Sequence, residues 1–243
     1  MSIYMSVRSL AGIFAMSFAV FFAMPLAAPQ YAHAEMPQSD VDLVQQMGDV
    51  PAEKVLQALA LYYDLHVSEL QVQHMNEQRT GAMFAIQRAK ASRKPHNVIA
   101  KLEQQAKDVA VGREARILVN KLIREDLSSL TGIDFSESLV MAPDAPTAMP
   151  RAPAGTPAAL VTEQKAMWGA MKWAQDAWAH ERMALLEAQQ RYDDLRDVSI
   201  GDFMRAMTLA EAKYVRVIGA YRLIEAKIAV ATGKPLAEVL GAL

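Results

Sequence analysis

The side chains of this 243-residue sequence with most scope for ligation or proton transfer are five histidines, 27 carboxylates and 15 methionines; there is no cysteine. Met167 and Met171 stand one helical turn apart beside Trp168, Trp173 and Trp178, a grouping of thioethers that suits a soft ion such as Cu(I). The same two methionines fall on an apolar seam, where flexible Met fills core gaps, and packing is the reading their spacing favours. His66 and His74 are two turns apart, His96 follows a proline, and His180 precedes Glu181. None makes an H-x-x-x-H pair or a carboxylate–histidine cluster, so each reads as a lone histidine, and neither a metal nor any other cofactor is expected. The missing cysteine removes a disulfide framework, a thiolate zinc site and a cysteine nucleophile together. No G-x-S-x-G, P-loop, H-E-x-x-H or glycine-rich nucleotide turn occurs. The acidic pair Asp193-Asp194 sits where a turn is wet, whereas raising a carboxylate pKa needs burial. A non-enzyme is expected.

Charge at two turns is the remaining functional signal. Residues 88–101 hold Arg88, Lys90, Arg93, Lys94 and Lys101 with no acid. Residues 191–205 hold Asp193, Asp194, Asp197 and Asp202 against Arg191, Arg196 and Arg205. If both turns point the same way, a basic turn lies beside an acidic one and the two attract modestly. Helix turns are solvated and carry charge for that reason alone, so the competing reading is a plain wet surface.

Long helices must position these turns. Hydrophobic side chains make up 52% of the chain and charged ones 21%, ample for a buried core, and the formal net charge of -2 argues against a nucleic-acid partner. Residues 1–34 read as a secretory signal: Arg8 is the only charge, an apolar run extends from Leu10 to Ala28, and Ala32-His33-Ala34 is a small-x-small cleavage site. An uncleaved membrane anchor is the competing reading. Asp49-Val50-Pro51 then opens a helix in which Leu61, Leu65, Val72, Met75, Ala82, Ile86 and Ala89 recur at alternating steps of 3 and 4, with Ser68 and Arg79 filling the two off-type positions. After the turn Ser92-Arg93-Lys94-Pro95, a second helix runs to Gly132. Its stripe (Ile99, Leu102, Ala106, Val109, then Ala115, Leu118, Leu122) slips phase near Gly112. Residues 133–158 carry Pro143, Pro146, Pro150, Pro153 and Pro157 and read as an extended linker. The second half repeats the plan. Met167, Met171, Ala174, Trp178, Glu181, Leu185, Ala188, Tyr192 and Leu195 form one stripe with a single polar member, and Ser199-Ile200-Gly201-Asp202 offers a capping box. Phe203, Met207, Ala210, Tyr214, Val217, Tyr221, Ile224, Ile228 and Ala231 form the last stripe, closed by Gly233 and Pro235. The expected fold is all-α: two long antiparallel helical hairpins, residues 35–132 and 159–243, in a coiled-coil-like four-helix arrangement joined by the Pro-rich linker.

Over Arg191–Gly233 the order Arg191-Tyr192, Val198-Ser199-Ile200-Gly201-Asp202-Phe203-Met204-Arg205-Ala206, Tyr214, Tyr221-Arg222-Leu223-Ile224 and Ala231-Thr232-Gly233 resembles the TolC-type outer-membrane efflux proteins. The first repeat is similar but weaker, with Tyr62-Tyr63-Asp64-Leu65, Asn97-Val98-Ile99-Ala100 and Leu127-Ser128-Ser129-Leu130-Thr131-Gly132. Arg196 and Lys90 stand where that family usually has a tip glycine, and the strand hairpins that build its membrane barrel have no counterpart before the long helices. The resemblance implies the periplasmic part of an efflux duct without its pore, present as a homo-oligomer, a trimer in that family. It also implies that charged tip residues meet an inner-membrane transporter or adaptor protein. By that likeness Asp194, Arg196, Asp197 and Asp202, with Arg93 and Lys94 at the other turn, are gate or docking candidates. The competing expectation is a free periplasmic coiled-coil scaffold or binding protein.

Overall fold

A computed structural model describes residues 36–37, 39–137, 139, 145–190 and 200–241, all of them within one compact unit spanning His33–Leu243. The leader read over residues 1–34 lies outside the described residues, as do Asp194, Arg196 and Asp197. The fold is all-α. Among the described residues six helices follow one another: α1 (Asp40–Met47), α2 (Ala52–Ala91), α3 (His96–Thr131), α4 (Ala158–Gln190), α5 (Ile200–Thr232) and α6 (Leu236–Gly241). Among the described residues, no helix is long and apolar enough to cross a membrane.

Each boundary has a local cause. Ser39 caps α1 by accepting the Asp42 N–H at 3.1 Å, with Asp40 and Asp42 in the positive first turn. Pro51 precedes α2, whose 40 residues span about 60 Å. Gly132 and Gly233 end α3 and α5 in left-handed conformations, φ 74° and φ 67°, that a side chain would disfavour.

Contacts fix the directions. Across α2 and α3, Lys90 pairs with Glu103 at 2.8 Å, Arg113 donates to Asn76 and Arg124 to Glu69, so the two run antiparallel. Between α4 and α5, the Trp178 ring stacks on Tyr214 with centroids 5.4 Å apart and Trp168 meets Tyr221 at 5.6 Å, again antiparallel. Helices α2 and α5 pack on each other, also antiparallel, with Gly219 against Tyr63 and Thr208 facing Glu77. The four long helices therefore lie in the order α3, α2, α5, α4, and α1 and α6 close over the far ends of α2 and α5.

Burial follows from that order. The two middle helices carry the core: Val55, Leu59, Tyr62 and Leu65 of α2 meet Val215, Ile218 and Tyr221 of α5, and Met171 and Ala174 of α4 seal one side. On the other side α3 buries Leu127 alone. Here the expected stripe is corrected: Leu118 and Leu122 are 62% and 59% exposed, and Val111 is exposed with them. Past Gly112 the residues turned to the core are Ile123, Leu127 and Leu130. An outer helix touches one neighbour, so only one of its two apolar stripes is covered. Beyond α3 the chain does not leave at once, because Ile133 and Phe135 are buried in the core as an extended cover.

Candidate functional site

The α2–α3 turn is a tight one. Lys94 N–H donates to the Ala89 carbonyl at 2.9 Å and Arg93 N–H to Lys90 at 3.1 Å, the paired bonds of a Schellman ending. That geometry places Arg93 at φ 50°, the left-handed position that glycine usually takes and that costs a side chain about 1 kcal/mol. Arg93 and Lys94 are exposed. Asp202 is exposed in the first turn of α5. Because α2 and α5 are antiparallel, the C-terminal end of α2 and the N-terminal end of α5 share one end of the array. The structure thus brings Arg93, Lys94 and Asp202 to a common end, and Asp194, Arg196 and Asp197 lie in the undescribed 191–199 stretch leading into it. The bond between Lys90 and Glu103 is exposed and holds the Glu103 carboxyl below its usual range.

At the opposite end lies a buried ionic hub. Arg222 Nε stands 3.0 Å from Asp40 Oδ2, and its Nη1 donates at 3.0 Å to both Glu225 Oε2 and the Leu240 carbonyl. Tyr63 Oη donates to the same Asp40 carboxylate at 2.8 Å. One guanidinium on α5 thereby ties down α1 and α6, the two short terminal helices. Burial by itself would lower Arg222, but Asp40, Tyr63 and Glu225 outweigh it and hold the guanidinium above its ordinary value. Burial raises Glu225, with Arg222 pulling the other way. The apolar periodicity did not point here: Arg222 stands beside the α5 stripe and not on it, and its partners Asp40 and Leu240 lie on helices too short to show a period.

A third feature lies along the inner face of α3. A groove of about 890 Å³ opens between α2, α3 and the cover made by residues 133–137 and Leu139, with Glu211 of α5 in its wall. Arg124 anchors the cover, donating to Glu69 and to the carbonyls of Phe135 and Glu137, while Leu139 N–H donates to Glu69 Oε2 at 2.9 Å. His66 lines the groove at 5% exposure, and burial pushes its imidazole down to about 4, so it is neutral near pH 7. His74 is lowered as well, by burial first and then by Arg205. Among the described residues no group of three His, Asp or Glu side chains is placed to hold a metal ion. Met171 is fully buried and Met167 packs against the same core.

No family model matches the chain, and no curated protein and no solved structure matches it either.

Proposed function

We propose that this chain is an exported, non-catalytic, all-helical component of an efflux or secretion apparatus that works by assembly. The observation carrying this reading is the apolar surface left on both outer helices. On α3, Val111, Ala115, Leu118 and Leu122 step 4, 3, 4 along one exposed face; on α4, Met183 and Leu186 are exposed three residues apart. A chain working alone gains nothing by holding such a stripe in water, and contiguous exposed apolar faces mark interaction sites. An α3 edge meeting the α4 edge of another copy is a head-to-tail contact, which closes into a ring when the rotation permits. The repeated antiparallel pairs and the charge gathered at one end support the likeness to the periplasmic part of TolC-type proteins. In this proposal the copies form a trimer, and the end bearing Arg93, Lys94 and Asp202 meets an inner-membrane transporter or adaptor.

The test is the mass of the purified chain by light scattering, with and without detergent. Three times the protomer mass is expected. Replacing Leu118 and Leu122 together by Asp should return the mass to one protomer with helix content unchanged, since both side chains are already in water within a single copy. A soluble monomer recovered by osmotic shock, with the same mass as the double variant, overturns the proposal and leaves the free periplasmic scaffold or binding protein in its place.

A further inference from the structure

The uncovered faces of α3 and α4 carry charge beside their apolar side chains, and the charges stand in complementary order. On α3, Lys121 and Glu125 share the outer face of Leu118 and Leu122. They stand 3.7 Å apart with side chains 71% and 59% exposed, a weak pair that leaves both open to another partner. On α4, Lys172 and Asp176 repeat that four-residue spacing beside Met183, turned away from the buried Met171, Ala174 and Leu185. Asp176 is exposed and makes no hydrogen bond or ion pair among the described residues. Lys172 is half-buried; its ammonium donates to Gln175 at 3.2 Å and lies over the Trp168 ring.

Contacts across the array set the heights of these groups. Arg113 of α3 is level with Asn76 of α2, and the adjoining Glu77 is level with Thr208 of α5. Less than two turns further along α5, Tyr214 is level with Trp178 of α4. Carried from helix to helix, this brings Lys121 to the height of Asp176 and Glu125 to that of Lys172, within about one turn. Ala115 comes level with Met183 in the same way. Two copies standing side by side in one direction therefore set both charge pairs opposite with attractive sign, next to a contact of Val111, Ala115 and Leu118 with Met183 and Leu186. A two-fold contact of α3 with α3 centred on Leu118 would instead put Glu125 against Val111 and Lys121 against Ala115, charge on apolar surface. We infer that the α3 edge of one copy meets the α4 edge of the next in parallel and without axial offset, Lys121 on Asp176 and Glu125 on Lys172. This rests on the assembly proposed above and adds to it the register and orientation of neighbouring copies.

The experiment is light scattering of the purified chain over a concentration series at low salt, where surface charge is least screened. Lys121→Glu with Glu125→Lys keeps composition and the pair within α3, yet sets like charges against α4. It should raise the concentration of half-dissociation at least tenfold, and so should Lys172→Glu with Asp176→Lys. All four changes in one chain should restore the parental value, which also shows that the exchanged faces fold. The chain has no cysteine, so crosslinking gives a second readout. Ala115→Cys with Met183→Cys places thiols on opposite edges of a copy, and oxidation should join separate copies on a non-reducing gel. Ala100→Cys with Met183→Cys, displaced by about 22 Å, should not. Either exchange assembling like the parent, the fourfold exchange staying dissociated, or equal crosslinking from Ala100 overturns the inference and leaves assembly in place. A parent chain that is monomeric at every concentration overturns assembly, and this inference with it.

Discussion

Replacing Gly219 by alanine isolates the contact that holds the two middle helices together. A Cβ at this position would lie 2.6 Å from Tyr63 Cγ, 2.7 Å from its Cβ and 3.0 Å from Cδ1, where carbon atoms normally approach to about 3.5–4.0 Å. These are the root atoms of the tyrosine, not a flexible tip, so relief requires α2 and α5 to move apart. Tyr63 is 4% exposed and its hydroxyl holds Asp40, so the ring cannot swing away without loosening the Arg222 hub. Two effects compete. Alanine gains about 1 kcal/mol over glycine in a helix interior. Overpacking costs about 1–3 kcal/mol, and a lost buried hydrogen bond about 1 more. The clash wins: Gly219→Ala should destabilise by about 1–3 kcal/mol, a fall of about 2–12 °C in Tm for a chain of this size. Gly81 on α2 is the control, because nothing lies within 4 Å of a Cβ there, and Gly81→Ala should gain about 1 kcal/mol. Urea and thermal unfolding followed by circular dichroism measure both. In a double-mutant cycle, Tyr63→Ala should relieve only part of the Gly219→Ala penalty, since it removes the contacts to Cγ and Cδ1 and keeps the one to Cβ at 2.7 Å. A Gly219→Ala variant that melts at or above the parent, as Gly81→Ala does, would refute the close-crossing argument.

Three other expectations follow from the same packing. Ile224 is 3% exposed in the α5 seam, so Ile224→Asp buries an unpaired charge; it should cost about 4 kcal/mol or more and strip helicity, and unchanged melting would show the seam misplaced. His66 takes up a proton at about pH 6.5 when unfolded but only near 4 when folded, so the unfolded chain binds more protons between these values and stability falls as pH drops through that window. His66→Leu should flatten that part of the urea-stability profile by up to about 3 kcal/mol, and an identical slope in both proteins would count against a buried neutral imidazole. Asp202 is exposed in the first turn of α5, so Asp202→Ala should cost at most about 1 kcal/mol by denaturation; a larger loss would mean that it holds a tertiary contact.

Legibility varied with helix position. In α2 and α5 the stripe members Leu65, Ile86 and Ala89, and Tyr214, Tyr221, Ile224 and Ile228, are buried as the spacing predicts, because both helices have neighbours on either side, while Ala231 at the end of the α5 stripe is exposed. In α4 the same holds for Met171, Ala174, Leu185 and Ala188. In α3 the period is equally clear, yet Leu118 and Leu122 face water, since periodicity reports that a face is apolar and not which neighbour covers it. The short helices α1 and α6 have too few turns to show a period and were not anticipated. The basic character of the α2–α3 turn was legible in Arg93 and Lys94, whereas the left-handed backbone at Arg93 was not, since that position usually signals itself with glycine.

Composition, the steps of 3 and 4, and the placement of Pro51, Pro95, Gly132 and Gly233 were enough to specify an all-helical chain, where α2 and α3 begin and where α3 and α5 end. These are local properties, decided within a few turns of backbone. Tertiary structure alone decided that α2 and α5 form the middle, that Arg222 gathers Asp40, Glu225 and the Leu240 carbonyl, and that a groove opens beside α3. Those pairings join residues up to 182 positions apart, Asp40 to Arg222, and a charge buried among apolar neighbours gives no sign in the sequence of the partner it will meet.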